Sequence, residues 1–370
     1  MKIRVNQEAL NKAIGVVQKA VPSRVTMPIL KGILFTAKNQ QLILVANDMQ
    51  IGIETSIECR VEEEGSIVID SKLIGDIVRH IKDEVIHLVV EDNLSIHMNS
   101  VDLDISIKGY DTMEFPELPE IQNPKKILIK EKVLLDMIQK TIFAVAETDY
   151  MHIINGILFE IKKNKLVVAA TDGRRFALRK QKITNEELET RFVIPGSSLK
   201  EIRKLLSVDS DESIEVLMAD NHVSFMINQV KIVTRLLQGE FIKYGAIIPK
   251  DFLTHVKVDT TRLLSALDIN SVLAEKVNSA VILNIESDYI EVMSQSEIGN
   301  ISKKVKASVK GGPLQIAFNI RFLIDGIKAV DEEVINLLFV KGSRSPLVIK
   351  SRDLESYQYL LSPVLVSDIN

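Results

Sequence analysis

The chain contains a single cysteine, Cys59, in 370 residues. One thiol excludes an intramolecular disulfide framework and any metal site built on cysteines, and a reducing cytosol is the expected compartment. No apolar run approaches the ~20 residues that a membrane helix needs. The opening MKIRVNQEAL reads as an amphipathic strand without the apolar stretch of a secretory leader, so a cytoplasmic, soluble protein without membrane contact is expected. Excess positive charge is missing as well: the net charge is −4, whereas nucleic-acid binders usually carry surplus lysine and arginine. Any such role must come from where the charges sit. The six histidines, His80, His87, His97, His152, His222 and His255, form no metal-ligand pair such as H-E-x-x-H. There is no G-x-x-x-x-G-K-[ST] and no G-x-G-x-x-G, so no cofactor is expected. VKGGPL (309–314) is a plain turn. IPGSSLKE (194–201) lacks the spacing of a nucleophile elbow and offers serines suited to a helix N-cap.

What the chain does have is repetition. The tetrapeptide Gly-Ile-Leu-Phe begins at Gly32 and again at Gly156, 124 residues later. Asn47-Asp48 and Thr171-Asp172 keep the same spacing, and Ala280 opens a fainter third copy 124 residues after Gly156. Each unit starts with a short alternating strand and a helical stretch: MKIRVNQEALNKAIGVVQKAV, KKILIKEKVLLDMIQKTIFAVA and HVKVDTTRLLSALDINSVLAEK. Leu10, Ile14 and Val17 recur at helical spacing, as do Leu134, Ile138 and Phe143. A strand hairpin, a second strand and helix, and a run of alternating strands follow in each. This period is far longer than that of a solenoid, and a unit of this size can hold its own core. Three homologous α+β domains are therefore expected, each with two helices and about eight strands. The Pro-containing stretches 115–126 and 244–251 are the joins, which divides the chain into 1–122, 123–250 and 251–370.

The six predicted helices span 8–20, 71–82, 131–145, 197–207, 261–276 and 319–330. Together they hold fourteen basic and eight acidic residues, a surplus of six, which leaves −10 for the rest of a chain of net −4. Segregation of this kind puts a basic face on the helices, able to neutralise phosphates without any motif. Asp48 and Asp172 occupy matching places in two repeats, but Ser296 stands there in the third. An acid just after a strand is usually a turn former. The stretch AATDGRRFAL (169–178) first reads as an anion grip, with Gly173 for the turn and Arg174 and Arg175 beside it.

SRVTMPILKGILF (23–35), NGILFE (155–160), ATDGRRFAL (170–178), GEFIKY (239–244), FNIRFLIDGI (318–327) and YQYLLSPVLV (357–366) resemble, in order and across essentially the whole chain, segments of the bacterial DNA polymerase III beta subunit family. The resemblance implies the DNA-clamp fold: α+β, three homologous domains, each with two helices packed on antiparallel sheets, in a ring-shaped head-to-tail homodimer. Such a ring encircles double-stranded DNA without reading its sequence and has no active site of its own. It acts in DNA replication as a processivity factor, tethering the polymerase III alpha subunit, the clamp loader and other replication and repair proteins through short peptide motifs.

Residue by residue, the resemblance implies DNA-facing roles for Arg24, Lys72, Arg79, Lys200, Arg203 and Lys204. It implies a dimer interface at Ile105 and Ile107 against Val272 and Leu273. It also implies a partner-peptide pocket at Ile154, Thr171, Gly173, Arg174, Arg175, Phe176, Ile242, Ala246, Ile247, Val277, Asn319, Phe322, Leu360, Leu361, Ser362, Pro363, Val364 and Leu365. An apolar groove with a few polar anchors suits such peptides. Several positions depart from the family: it often has His at Arg174, Leu at Phe176, Pro at Ile242, Arg at Ala246, and Met at Ser362 and Val364, while SDIN (367–370) runs past the common end. Two other readings remain open from the residues alone. One is an enzyme using the TDGRR loop on a phosphorylated substrate, which requires convergent titratable groups. The other is a repeat scaffold unrelated to DNA, which requires no charge segregation.

Overall fold

The computed structural model describes residues 1–24, 27–147, 152–183, 188–274, 279–296, 299–340, 345–353 and 355–364. Six α-helices form among them: α1 (Gln7–Val17), α2 (Ser71–His80), α3 (Glu131–Gln139), α4 (Gly196–Arg203), α5 (Thr260–Ala274) and α6 (Ile320–Lys328). Every repeat carries two helices, and every strand pairing is antiparallel. The helices fall where expected but are shorter. The buried Thr141 ends α3 by bonding its Oγ1 to the Met137 carbonyl at 2.7 Å, a local contact that competes with the helix ladder. Phe143 therefore lies in a 3-10 turn, Ile142–Ala144, instead of continuing the helical stripe.

The 124-residue spacing reaches the backbone. Strands begin at Gly32, Gly156 and Ala280, and at Gln41, Lys165 and Tyr289. The first two hairpins close on two-residue loops, since Lys38 pairs with Gln41 and Lys162 with Lys165. All four loop residues have positive φ: Asn39 at 53°, Gln40 at 59°, Lys163 at 48° and Asn164 at 61°. That geometry matches the right-handed twist of the flanking strands. The third copy has a longer loop, with Ile285 paired to Ile290.

The chain packs as two units. The first comprises residues 1–132 and 197–236. One sheet has five strands, in the order Arg60–Glu63, Lys2–Asn6, Val85–Val90, Ser95–Ser100 and Leu103–Lys108. The other has eight and runs across the expected join at 122–123, because Val230–Arg235 pairs with Ile51–Glu58, placing Ile232 opposite Ile53. Helices α1 and α2 bury Leu10, Ile14 and Val17 together with Ile74 and Val78. They are tied by two glutamines: Gln7 Nε2 donates to the Val78 carbonyl and Gln18 Nε2 to the Ser71 carbonyl, both at 2.7 Å. Asn6 and Asp70 cap them, accepting from Ala9 N at 3.0 Å and Leu73 N at 2.8 Å. These side chains satisfy amides that a helix start leaves without partners.

The second unit comprises residues 133–196 and 237–370. Its twelve-stranded sheet runs from Thr190–Pro195 through Gly156–Lys162, Lys165–Thr171, Arg175–Lys182, Tyr357–Leu361, Leu347–Lys350 and Val334–Phe339 to Thr254–Asp259, and on through Gly299–Lys310, Tyr289–Ser296 and Ala280–Ile285 to Leu314–Asn319. A buried cluster on one face joins Ile153, Ile154, Leu158, Phe176, Leu178, Phe241, Leu338, Val348 and Leu360, with Ile242, Tyr244 and Phe252 packed against it. Among the described residues no helix is long and apolar enough to cross a membrane, which says nothing of a β-barrel.

Candidate partner-binding site

The stretch Thr171–Phe176 is a turn built by its own polar side chains. Asp172 Oδ1 accepts from the Arg174 and Arg175 amides at 2.9 and 3.0 Å. Thr171 Oγ1 accepts from Gly173 N at 3.1 Å and donates to the Arg175 carbonyl at 2.7 Å. Gly173 supplies the positive φ of 83°, a conformation that a Cβ disfavours. Asp172 thus works on the turn.

Arg175 does not project as a free anion grip. Its side chain is only 10 % exposed and holds Asp172 Oδ2 through Nε at 2.8 Å and Asp325 Oδ2 through Nη1 at 2.7 Å. The guanidinium lies 4.0 Å from the Phe322 ring centroid and 5.6 Å from that of Phe143. Burial opposes its charge, but the bonds to Asp325 and Asp172 and the nearby Tyr359 outweigh that, and its pKa lies above the usual value. Tyr359, pushed strongly up by burial, donates its hydroxyl to the Phe322 carbonyl at 2.8 Å. The result is a strut joining the turn to α6.

The segment after Tyr357 closes onto the same place. Arg175 pairs with Leu361 and Phe176 with Leu360. Ser362 N donates to the Arg174 carbonyl, and Val364 N to that of Ala317, each at 2.9 Å. Asn319, two residues on, caps α6 by accepting from Phe322 N at 3.2 Å. Phe176 is 2 % exposed and stacks on Tyr244, ring centroids 6.0 Å apart. Tyr244 donates to Glu160 Oε1 at 2.7 Å; burial and that bond push its hydroxyl pKa far up. The site therefore gathers Ile154, Thr171–Phe176, Ile242, Asn319, Phe322 and Leu360–Val364. Ala246 and Ile247 lie exposed at the turn Tyr244–Ala246. Pro363 is half-buried and Ser362 exposed. Val277 and Leu365 lie outside the described residues. Phe143 and Asp325 complete the site, and the sequence announces neither: Phe143 continues a helical spacing, and Asp325 sits in no motif. Among the described residues no group of His, Cys, Asp or Glu could hold a metal ion.

The six basic residues named for DNA are all exposed in the first unit. Lys72 and Arg79 project from α2; Lys200 and Arg203 from α4, with Lys204 just beyond it. Arg79 pairs with Asp76 at 3.4 Å and Lys204 with Glu201 at 2.8 Å, at partly exposed sites where such pairs are weak. Lys19 joins them. Burial, above all, and the proximity of Lys204 pull its ammonium pKa down, against the opposing pull of Glu201. Lys19 sat in the first helical window but nothing in one-dimensional spacing set it beside α4.

Of the interface residues, Ile105 and Ile107 are half-buried on Leu103–Lys108, an outer strand of the five-stranded sheet. Val272 is 63 % exposed on α5, whereas its neighbour Leu273, 8 % exposed, turns into its own unit. Ile269, one helical turn before Val272, is 50 % exposed and extends that apolar patch.

Comparison with known proteins matches the whole length. Residues 1–119 fit the model of the DNA polymerase III beta subunit N-terminal domain, 128–243 the central domain and 245–365 the C-terminal domain. The beta sliding clamp of Staphylococcus epidermidis (strain ATCC 35984) is 30 % identical, with 98 % of this chain and 99 % of that protein covered. The crystal structure of the DNA polymerase sliding clamp from Bacillus subtilis superposes with a TM-score of 0.96 at 30 % identity, covering 99 % of each chain. The DNA polymerase III beta subunit from Thermotoga maritima gives 0.91 at 30 % identity, again over 99 % of each.

Proposed function

The chain belongs to the DNA polymerase III beta subunit family, the sliding clamps that encircle duplex DNA and confer processivity without an active site of their own, and we propose which of its residues carry out that task. Three domains, 1–122, 123–250 and 251–370, form one half of a head-to-tail homodimeric ring in the cytoplasm. Heterologous contacts that close on themselves make rings from repeated units. Arg24, Lys72, Arg79, Lys200, Arg203 and Lys204, with Lys19 added, face the phosphates. Charge placement carries this reading: the helical windows hold a surplus of six positive charges in a chain of net −4. Contacts to phosphate alone carry no sequence information and leave the ring free to slide.

The dimer contact joins Leu103–Lys108 of one protomer to the third domain of the other. Ile105 and Ile107 meet the exposed Val272 there, with Leu273 buried behind it. An unpaired sheet edge invites this kind of addition. The first part of Gly299–Lys310 pairs on one side with Tyr289–Ser296, while its other partner, Thr254–Asp259, begins only at Ala307. Among the described residues that edge has no further partner, and it suits the same junction.

The apolar site at Phe176, Ile242 and Leu360, framed by Arg174, Asn319 and the segment to Leu365, receives short peptide motifs. They come from the polymerase III alpha subunit, the clamp loader and other replication and repair proteins. Burial of Phe176 against Tyr244 narrows the apolar floor where the family often has Leu. Retention on circular against linear DNA tests the reading. Wild type stays on closed circles and runs off linear ends. Replacing Lys72, Arg79, Lys200 and Arg203 by Glu weakens the hold in a salt-dependent manner, by about one unit of salt slope per lost phosphate contact. A monomer that leaves both DNA forms equally overturns it. Removing residues 362–370 abolishes binding of a polymerase-derived peptide and leaves the dimer intact; unchanged peptide affinity refutes the pocket.

A further inference from the structure

On the face of the twelve-stranded sheet that carries the buried cluster lies a groove of about 1220 Å³, floored by Phe252, Val334 and Leu338. Cross-strand register ties it to the peptide site. Leu360 stands opposite Val348, Val348 opposite Leu338, Leu338 opposite His255, and His255 opposite Lys310. Directly opposed residues point to the same face, so this row runs from the pocket wall into the groove. At about 4.8 Å between strands, Leu338 lies roughly 10 Å from Leu360, a span of three or four extended residues.

The walls are cationic. Lys350, Asn336 and Lys257 form a second row across three strands, and Lys310 and Arg352 stand at the rim. Among the described residues none of the four basic side chains lies within ion-pair distance of a carboxylate. Glu332 and Glu333 also line the groove, so four basic side chains face two acids; Glu332 Oε2 accepts from the Arg352 amide at 2.7 Å. Lys350 sits 5.3 Å from the Phe252 ring centroid. Burial first, and Lys180 next, pull its pKa down, while Glu355 opposes. These cations line one groove on a protein that is acidic overall, and an incoming anion supplies the partner that they lack.

We propose that this groove binds an acidic, partly apolar extended segment of a partner protein, the continuation of the polypeptide whose apolar anchor occupies the site at Phe176 and Leu360. The proposal rests on the peptide-site reading above. Single-stranded nucleic acid fits less well, since such binding uses open aromatic faces and here Lys350 already covers Phe252.

The probe is a fluorescein-labelled peptide, Glu-Leu-Glu-Glu-Phe-Glu-Leu-Glu, titrated with the full chain and read by anisotropy at low salt. Binding weakens at least about tenfold in Lys257→Glu/Lys310→Glu and when every Glu of the peptide becomes Gln, because opposed charges supply the contact. Both lysines are exposed, and unchanged thermal unfolding of the variant shows that its fold is intact. Removal of residues 362–370 leaves this binding in place while abolishing that of the polymerase-derived peptide, so failure of the groove and failure of the pocket are separate results. Equal binding by wild type and the double variant overturns the proposal. So does an oligothymidylate that binds more tightly than the peptide and loses its hold in the same variant.

Discussion

Replacing Arg175 by Ala removes the strut between the turn and α6 and leaves two carboxylates without their cation, of which Asp172 is largely buried. The magnitude follows from burial. Asp172 and Arg175 have side chains 15 % and 10 % exposed, and breaking a buried pair from one side costs about 3–5 kcal/mol. Asp325 is 42 % exposed, so water takes over most of that half and its loss is held to about 1 kcal/mol or less. Partial hydration of Asp172 after the truncation reduces the first figure, while loss of the Phe322 contact adds about 1 kcal/mol. A net destabilisation of roughly 2–4 kcal/mol results, which lowers the melting temperature of a unit of this size by about 5–15 °C. Arg175→Lys keeps the charge but cannot reach both acids with one planar fork, so its shift is about half as large. Differential scanning calorimetry measures both, and calorimetric titration with a polymerase-derived peptide reports the site. An Arg175→Ala protein that melts within a degree of wild type and binds the peptide unchanged refutes the strut.

Gly326→Ala drives a Cβ into the Tyr359 ring and lowers stability by about 1–3 kcal/mol through overpacking, whereas Gly173→Ala, with open space around it, costs about 1–2 kcal/mol from its positive φ alone; urea titrations separate the two. Asp70→Ala removes the cap of α2, costs about 1 kcal/mol, and frays the helix that carries Lys72 and Arg79, which amide exchange detects. At Asp353, burial raises the carboxyl pKa, but bonds from Ser351 at 2.6 Å and from the Ser356 and Glu355 amides at 3.0 and 3.1 Å outweigh it and hold the pKa well below the usual range. A depressed pKa contributes stability above the ordinary carboxylate value and loses it below, so the bonds of Ser351, Glu355 and Ser356 to Asp353 weaken as pH falls beneath about 4. The effect is under about 1 kcal/mol at this exposed position, and Asp353→Asn flattens the acid limb of a stability–pH curve.

Much of this was legible because the repeat is written in turns and strand pattern, which act locally. Gly-Ile-Leu-Phe marks the start of a strand in two copies, and the loops 39–40 and 163–164 share one backbone geometry. What one dimension could not carry is packing across distant segments. The eight-stranded sheet joins Ile232 to Ile53, a pairing that no spacing announces. Val272 and Leu273 read as one apolar patch in the sequence, yet helical phase turns Leu273 inward and leaves Val272 out. Lys19 feels the charges of Glu201 and Lys204, far along the chain, only once the chain is folded. The cationic groove arises from lysines on separate strands, each an unremarkable polar position in an alternating pattern.

The two copies of the Asp turn separate architecture from function. Asp48 Oδ1 accepts from the Gln50 and Ile51 amides at 2.8 and 2.6 Å, as Asp172 Oδ1 does from Arg174 and Arg175. Met49 and Gly173 both take positive φ, 71° and 83°. The backbone solution is therefore shared, and a phosphate grip is not needed to explain the acid or the glycine. The side chains differ. Where copy two has Arg175, copy one has the buried Ile51. Where copy two has Phe176, copy one has Gly52, where any Cβ would collide with the Leu118 side chain. Copy one thus seals its turn with its own linker residue. Copy two supports its turn from beneath with a charged strut and stacks an aromatic ring beside it. A turn whose geometry is held by Asp172 and Arg175 can present its rim to a partner without collapsing, and that rigidity lowers the ordering cost of binding.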